Sequence, residues 1–283
     1  MSQRQACRAA NQPRSTQRYA CQRGARDAAE ARLRSRLHEL ARQHPRYGYR
    51  RVTALLKREG WRVNRKRVRR LLREEGLGVV ASRRRKPGAK GASAASIVHA
   101  PTQRANDVWA WDFSRSVDER GRPLRWLSII DEYTREILAI HVSRSIRSED
   151  AIEVLREAIR ERGVPVRLRS DNGPEFIAQA LQRFVSASSI ETLYIAPGSP
   201  WENGYAESYH SKLRDELLNT EVIENVKHAH SVAHWWKRSY NEFRPHSSLG
   251  YQTPREYADS LRRGKAEEEL VVRELASTIE AVP

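Results

Sequence analysis

Cysteine is scarce in this chain of 283 residues: there are two, too few for the multi-disulfide framework of a small secreted domain. Long hydrophobic runs are missing as well. The longest are a handful of residues, against the ~18 that a bilayer span requires, so no membrane association is expected. The opening stretch MSQRQACRAANQPRSTQR carries basic groups but no apolar segment of the signal-peptide kind, and a cytoplasmic location is expected. Acidic residues are rare in one region only. Residues 1–100 hold 6 Asp/Glu against 27 Lys/Arg, whereas residues 101–283 hold 29 against 25. The formal charge of +17 therefore comes entirely from the first third. That asymmetry excludes a uniformly basic chain and predicts a polyanionic partner for the N-terminal part. Seven Trp, ten Tyr and 39% hydrophobic residues are enough for a packed core, and the length suggests two domains.

The basic third reads as helical. Leu33, Leu37 and Leu40 recur at helical spacing within a helix from about Asp27 to His44, which Pro45 ends. A second helix is expected from Tyr49 to about Glu59, with Val52, Leu55 and Leu56 on one face and Gly60 closing it. Asn64 is a good N-cap for a third, which buries Val68, Leu71 and Leu72 and stops near Gly76. Two short helices joined by a tight turn, the second carrying Arg65, Lys66, Arg67, Arg69 and Arg70, read as a helix-turn-helix. A solvated basic helix in an ordinary bundle would look similar, but the charge surplus favours nucleic acid. Arg50 and Arg51, at the start of the second helix, join the candidate DNA contacts.

From Ser82 to Ser96 the chain is small, basic and aperiodic, as a flexible linker is. Beyond it, strands are expected at Val108–Ser114, Trp126–Ile130 and Ile137–Val142. A helix follows at about Ser148–Arg162, then a strand at Val166–Arg169, a helix from Pro174 to about Ser186 and a strand at Thr192–Ile195. Asn203 would cap a helix running to about Asn219, and another covers Val226 to Phe243. Three strands followed by alternating helix and strand give a mixed α/β sheet with helices on its faces.

Three acids sit where this pattern changes. Asp112 lies within the first strand and, by two-residue alternation, shares a face with Val108 and Ala110, opposite Trp109, Trp111 and Phe113. Asp171 ends a strand, with Gly173 allowing a sharp turn; an Asp-Asn-Gly sequence suits a plain turn equally well. Glu207 lies in the first turn or so of the helix after Asn203, with 35 residues between it and Asp171. Acids buried together repel, and hard divalent cations with carboxylate ligands relieve that repulsion. Two such ions suit phosphoryl transfer without a covalent enzyme intermediate.

The segments Trp111-Asp112-Phe113, Ser170 to Phe176 (SDNGPEF) and Asn203 to Ser208 (NGYAES) resemble those of the IS-three family of insertion-sequence transposases, in its second-frame (OrfB-type) catalytic subunit, relatives of retroviral integrases. Arg214, seven residues after Glu207 and hence on the same helix face, fits a basic position of that family. Tyr47 to Leu77 resembles its helix-turn-helix, and Phe243 to Pro254 (FRPHSSLGYQTP) its C-terminal signature. The resemblance implies an α/β, ribonuclease-H-like mixed sheet flanked by helices and preceded by an all-α helix-turn-helix domain. It implies a catalytic and metal-binding triad of Asp112, Asp171 and Glu207 holding two divalent cations, magnesium with manganese able to substitute, and a phosphate contact from Arg214. The expected activity is metal-dependent cleavage of element ends, then strand transfer of the 3′ hydroxyl. Expected partners are double-stranded DNA (terminal repeats and target), a second copy of the chain, and an upstream-frame protein or fusion, in a bacterial cytoplasm at the nucleoid. The corresponding domains are a basic segment 1–30, helix-turn-helix 31–80, linker 81–103, catalytic core 104–222, helical extension 223–262 and tail 263–283.

Other signals carry less. Asp131 suits a turn, and Glu175 suits a helix start through the helix dipole. His230 and His234 are four apart, but nothing nearby completes a metal site, and surface positions are expected. His141-Val142-Ser143-Arg144 fits the short His-x-x-Arg pattern of tyrosine recombinases and leaves the acids unexplained. Two further readings compete: a DNA-binding regulator or accessory subunit with a silent catalytic domain, and a nuclease that does not join strands.

Overall fold

The computed structural model describes residues 2–13, 23–79, 102–170, 178–194 and 204–264, in two compact units divided at residues 83 and 84. Asp171, Asn203 and the segment from Ser82 to Ser96 lie outside the described residues.

The N-terminal unit contains α1 (Gln3–Ala9), α2 (Arg23–Gln43), α3 (Tyr49–Arg58) and α4 (Arg65–Glu74). The leucines spaced along α2 meet Val52 and Leu56 of α3 and Val68, Leu71 and Leu72 of α4 in one buried cluster. Each such side chain taken fully from water is worth about 1.5–3 kcal/mol, and this holds α3 and α4, each too short to persist alone, against α2. Asn64 caps α4, its side chain accepting from the Lys66 amide at 2.8 Å. Gly60 and Gly76 end α3 and α4 at φ +86° and +66°, where a Cβ would be strained.

The C-terminal unit is built on one sheet of five described strands: β1 (Val108–Val117), β2 (Pro123–Asp131), β3 (Ile137–Ser143), β4 (Arg167–Ser170) and β5 (Glu191–Tyr194). Their order is β3-β2-β1-β4-β5. β2 runs antiparallel to both neighbours, while β1, β4 and β5 are mutually parallel. Parallel neighbours need crossovers, and α5 (Ser148–Arg162) and α6 (Gln179–Ala187) supply them. They bury Leu155, Ala158, Leu181 and Val185 against Trp109 and Trp111 of β1. The opposite face receives α7 (Gly204–Leu213) and α8 (Val226–Arg238), with Ala206, Tyr209, Leu213 and Trp236 packed on Ala110, Ile130 and Ile137. This mixed sheet, helices on both faces and β2 alone reversed, is ribonuclease-H-like.

Several helices depart from the expected outline. The start of the helix expected from Pro174 to about Ser186 lies outside the described residues; α6 follows Ala178, which is non-helical at ψ 130°, and ends one residue later than expected, at Ala187. The helices expected to run to Asn219 and Phe243 change pitch before their ends. α7 passes at Arg214 into a π turn over Arg214–Leu218, and α8 passes into another over Ser239–Phe243. Among the described residues no helix is long and apolar enough to cross a membrane.

Candidate active site

Asp112 lies in the middle of β1, directly opposite Ser128 of β2. Alternation along the strand sends Trp111 and Phe113 to the α5/α6 face and leaves Asp112 beside Ala110 on the face covered by α7. Two adjacent residues of α7 grip these cross-strand partners. Tyr209 meets Ser128 through their hydroxyls at 3.2 Å, and His210 Nδ1 lies 3.1 Å from Asp112 Oδ2. The other carboxylate oxygen of Asp112 accepts from the Phe113 amide at 2.7 Å. Tyr209 is wholly buried, and that burial pushes its phenol well above the ordinary tyrosine range.

Glu207 is in the first turn of α7, exposed, and one turn ahead of His210. Residues three apart on a helix are neighbours, so the contact that docks His210 on Asp112 brings the helix face carrying Glu207 to the same side of β1. Ala206, Tyr209 and Leu213 form the buried stripe that fixes this rotation of the helix. Arg214 follows as the first residue of the π turn and is exposed. β4 pairs with the other edge of β1: their parallel ladder reaches Ala110↔Arg169, two residues before Asp112 on β1. Among the described residues no three potential metal ligands cluster together; Asp171 lies outside them.

Several contacts had no signal in sequence spacing. Arg244, in the C-terminal signature, donates to both oxygens of Glu216 in the π turn, at 2.7 and 2.6 Å, and both side chains are buried. Its guanidinium also meets His246, 3.2 Å away, and lies over the Tyr240 ring. The signature therefore locks the end of the helix that carries Glu207. Glu132, just after β2, is buried with the Arg169 guanidinium of β4 2.8 Å away. Burial dominates there and pushes the Glu132 carboxyl up to about 7.

The remaining candidates fall as follows. Asp131 serves a turn, accepting from the amides of Asn106, Tyr133 and Thr134. Arg144 is committed to the buried Asp118 at 2.5 Å, and His141 packs edge-on against His230, which is half-buried rather than a surface residue. His234 is exposed. In the N-terminal unit Arg50, Arg65, Lys66, Arg69 and Arg70 are exposed, while Arg51 and Arg67 are half-buried.

Models of the integrase core domain match residues 102–200 and 188–254, and a helix-turn-helix-like domain matches residues 28–87. A 31.7 kDa protein of insertion element IS407 from Burkholderia multivorans is 37% identical over 93% of this chain and 92% of its own length. The transposase InsD of insertion element IS2 from Escherichia coli is 30% identical over 78% of this chain and 76% of its own. Among solved structures, the HTLV-2 integrase catalytic core domain in complex with magnesium is 17% identical, covers 54% of this chain and 95% of its own, and has a TM-score of 0.39. The chain belongs to the IS-three family of insertion-sequence transposases, as an OrfB-type subunit.

Proposed function

We propose that the chain is the catalytic subunit that cuts insertion-element ends and joins them to target DNA, with Asp112, Asp171 and Glu207 as its acidic triad. The observation that carries this reading is the His210–Asp112 contact, which seats the helix bearing Glu207 on the strand bearing Asp112. Hard divalent cations fit the donors: Asp112 and Glu207 offer carboxylate oxygens, and both keep access to solvent, with the Asp112 side chain 20% exposed. Magnesium, with manganese as substitute, held by the three acids would make a water or hydroxyl nucleophilic near neutral pH and stabilise charge on the departing oxygen.

The chain's own groups do the rest. His210 keeps the Asp112 carboxylate turned toward α7. Arg214, two turns beyond Glu207, meets a DNA phosphate beside the acids. Nicking releases a 3′ hydroxyl, and the same acidic face then orients that hydroxyl for in-line attack on a target phosphodiester. The basic residues Arg50, Arg51, Arg65, Lys66, Arg67, Arg69 and Arg70 belong to the helical unit that binds DNA in this reading. Two element ends react together, so the working form is a dimer or larger, assembled with an upstream-frame product or fused to it, in the cytoplasm at the nucleoid.

The test is cleavage and strand transfer on terminal-repeat DNA with magnesium or manganese. Wild type is expected to cleave and join, and a chelator to stop both. Asp112→Asn or Glu207→Gln should lose several kcal/mol of transition-state stabilisation, ~10³-fold in rate at ~1.4 kcal/mol per decade. Equal activity in Asp112→Asn and wild type would end the proposal.

A further inference from the structure

The two flanks of α4 carry their cations in different electrostatic settings. On one flank, Arg67 reaches Glu30 of α2 at 2.9 Å, and Arg70 lies 3.7 Å from Glu30 and 3.5 Å from Glu74. Arg34 of α2 joins the same network, 3.0 Å from Glu30 and 2.6 Å from Glu74, with a further bond to Glu75. His38 of α2 also meets Glu75, at 2.8 Å. Three carboxylates thus answer three guanidinium groups, and the network fastens α4 onto α2. The Glu30 carboxyl is held below its usual range by hydrogen bonds from Arg34 and then Arg67.

The other flank has no such balance. Arg65, Lys66 and Arg69 are exposed, and among the described residues no carboxylate stands within ion-pair distance of them. Arg65 and Arg69, one turn apart, lie toward Tyr49, the first residue of α3. The Arg69 guanidinium lies 5.5 Å from the centre of its ring, and Arg50 lies 5.8 Å from it and donates to its hydroxyl at 3.2 Å. The phenol is held below its ordinary range by the Arg50 bond first, then by the charges of Arg50, Arg69 and Arg65. Like charges gathered at one edge repel, and a polyanion relieves that repulsion.

We infer that duplex DNA phosphates are bound by this one flank, Arg65, Lys66 and Arg69 with Arg50 around Tyr49, while Arg67 and Arg70 hold α4 on α2 and make no DNA contact. The inference rests on the reading of the helical unit as DNA-binding and narrows it to one edge of one helix. It separates residues that are interchangeable by sequence, because all are arginine or lysine within six positions.

The experiment titrates the full chain with a short mixed-sequence DNA duplex between 50 and 200 mM salt. The slope of log affinity against log salt counts phosphate contacts, at about 0.9 for each. Arg65→Gln/Arg69→Gln should make the slope shallower by about 1.8, and Lys66→Gln by about 0.9. Arg67→Gln should leave it at the wild-type value. Thermal unfolding checks each variant, and Arg70→Gln, at a more exposed site of the same paired flank, replaces Arg67→Gln if the latter fails to fold. A wild-type slope in Arg65→Gln/Arg69→Gln, or an equal loss from the Arg67 or Arg70 variant, overturns the inference while leaving DNA binding intact. A flat salt response in wild type removes the DNA-binding reading itself, and the inference with it.

Discussion

Four buried acids in the C-terminal unit differ in state because different groups reach them. Burial alone would raise Asp118, but the Arg144 guanidinium and the amide and guanidinium of Arg122 reverse it, and the carboxyl sits well below the usual range. Asp131 receives three backbone amides, yet burial still pushes it up. Glu136 is raised in the same way, although Arg162 lies 3.1 Å away. Glu132 is the extreme case: burial outweighs the nearby Arg169 guanidinium and pushes the carboxyl up to about 7. A carboxyl whose folded pKa exceeds its unfolded value binds more protons when folded. Its stabilising contribution is complete below about 4.5, the unfolded value, and is lost as pH rises to about 7. At ~1.4 kcal/mol per unit, the loss is on the order of 3 kcal/mol. Glu132→Gln should therefore flatten the decline in unfolding free energy between those pH values. Denaturant titrations at a series of pH values measure this, and an unchanged decline in the variant would assign it to another group.

Elements in this protein are held at their ends by contacts remote in sequence. The helix carrying Glu207 continues through a π turn, and within that turn Glu216 is clamped by Arg244, 28 residues later. Tyr240, under the Arg244 guanidinium, packs edge-on against Tyr209, and Tyr209 reaches Ser128 opposite Asp112. A buried chain of contacts thus runs from the C-terminal signature to the strand of the first acid. Breaking one partner of a buried ion pair strands the other charge, at about 3–5 kcal/mol. Arg244→Met should cost that much in urea or thermal unfolding of the C-terminal unit. Arg244→Met/Glu216→Leu, which removes both charges, should recover most of it. A double variant no more stable than the single would mean that the clamp acts through packing rather than charge.

At the scale of the molecule, each of the two units owns a separate buried cluster. Units with their own cores unfold separately unless a large interface couples them. Calorimetry is expected to resolve two transitions. Leu37→Ala, at a position with no exposed surface, should destabilise the helical unit by about 2–5 kcal/mol and shift its transition alone. A single transition that moves as one in this variant would show that the units fold together.

Much of this architecture was legible in the residues. Leu33, Leu37 and Leu40 announce their helix by spacing, Asn64 announces a cap, and the alternation around Asp112 assigns its face, because these depend on neighbours a few positions away. The break at Ala178 was not legible, since no proline or glycine marks it and only the ψ of 130° in the folded chain shows it. The segments around Asp112, Asp171 and Glu207 also carried the family, since short-range chemistry leaves its trace in short motifs.

Sequence alone therefore determined the helices, the strands, the charge asymmetry and the membership, each a property of near neighbours or of composition. Tertiary structure alone decided that His210 meets Asp112, that Arg244 closes on Glu216, that Glu132 is buried beside Arg169, and that α4 has one balanced flank and one unbalanced one. Those outcomes depend on the distance and direction between groups far apart along the chain, and no local rule of spacing carries that information.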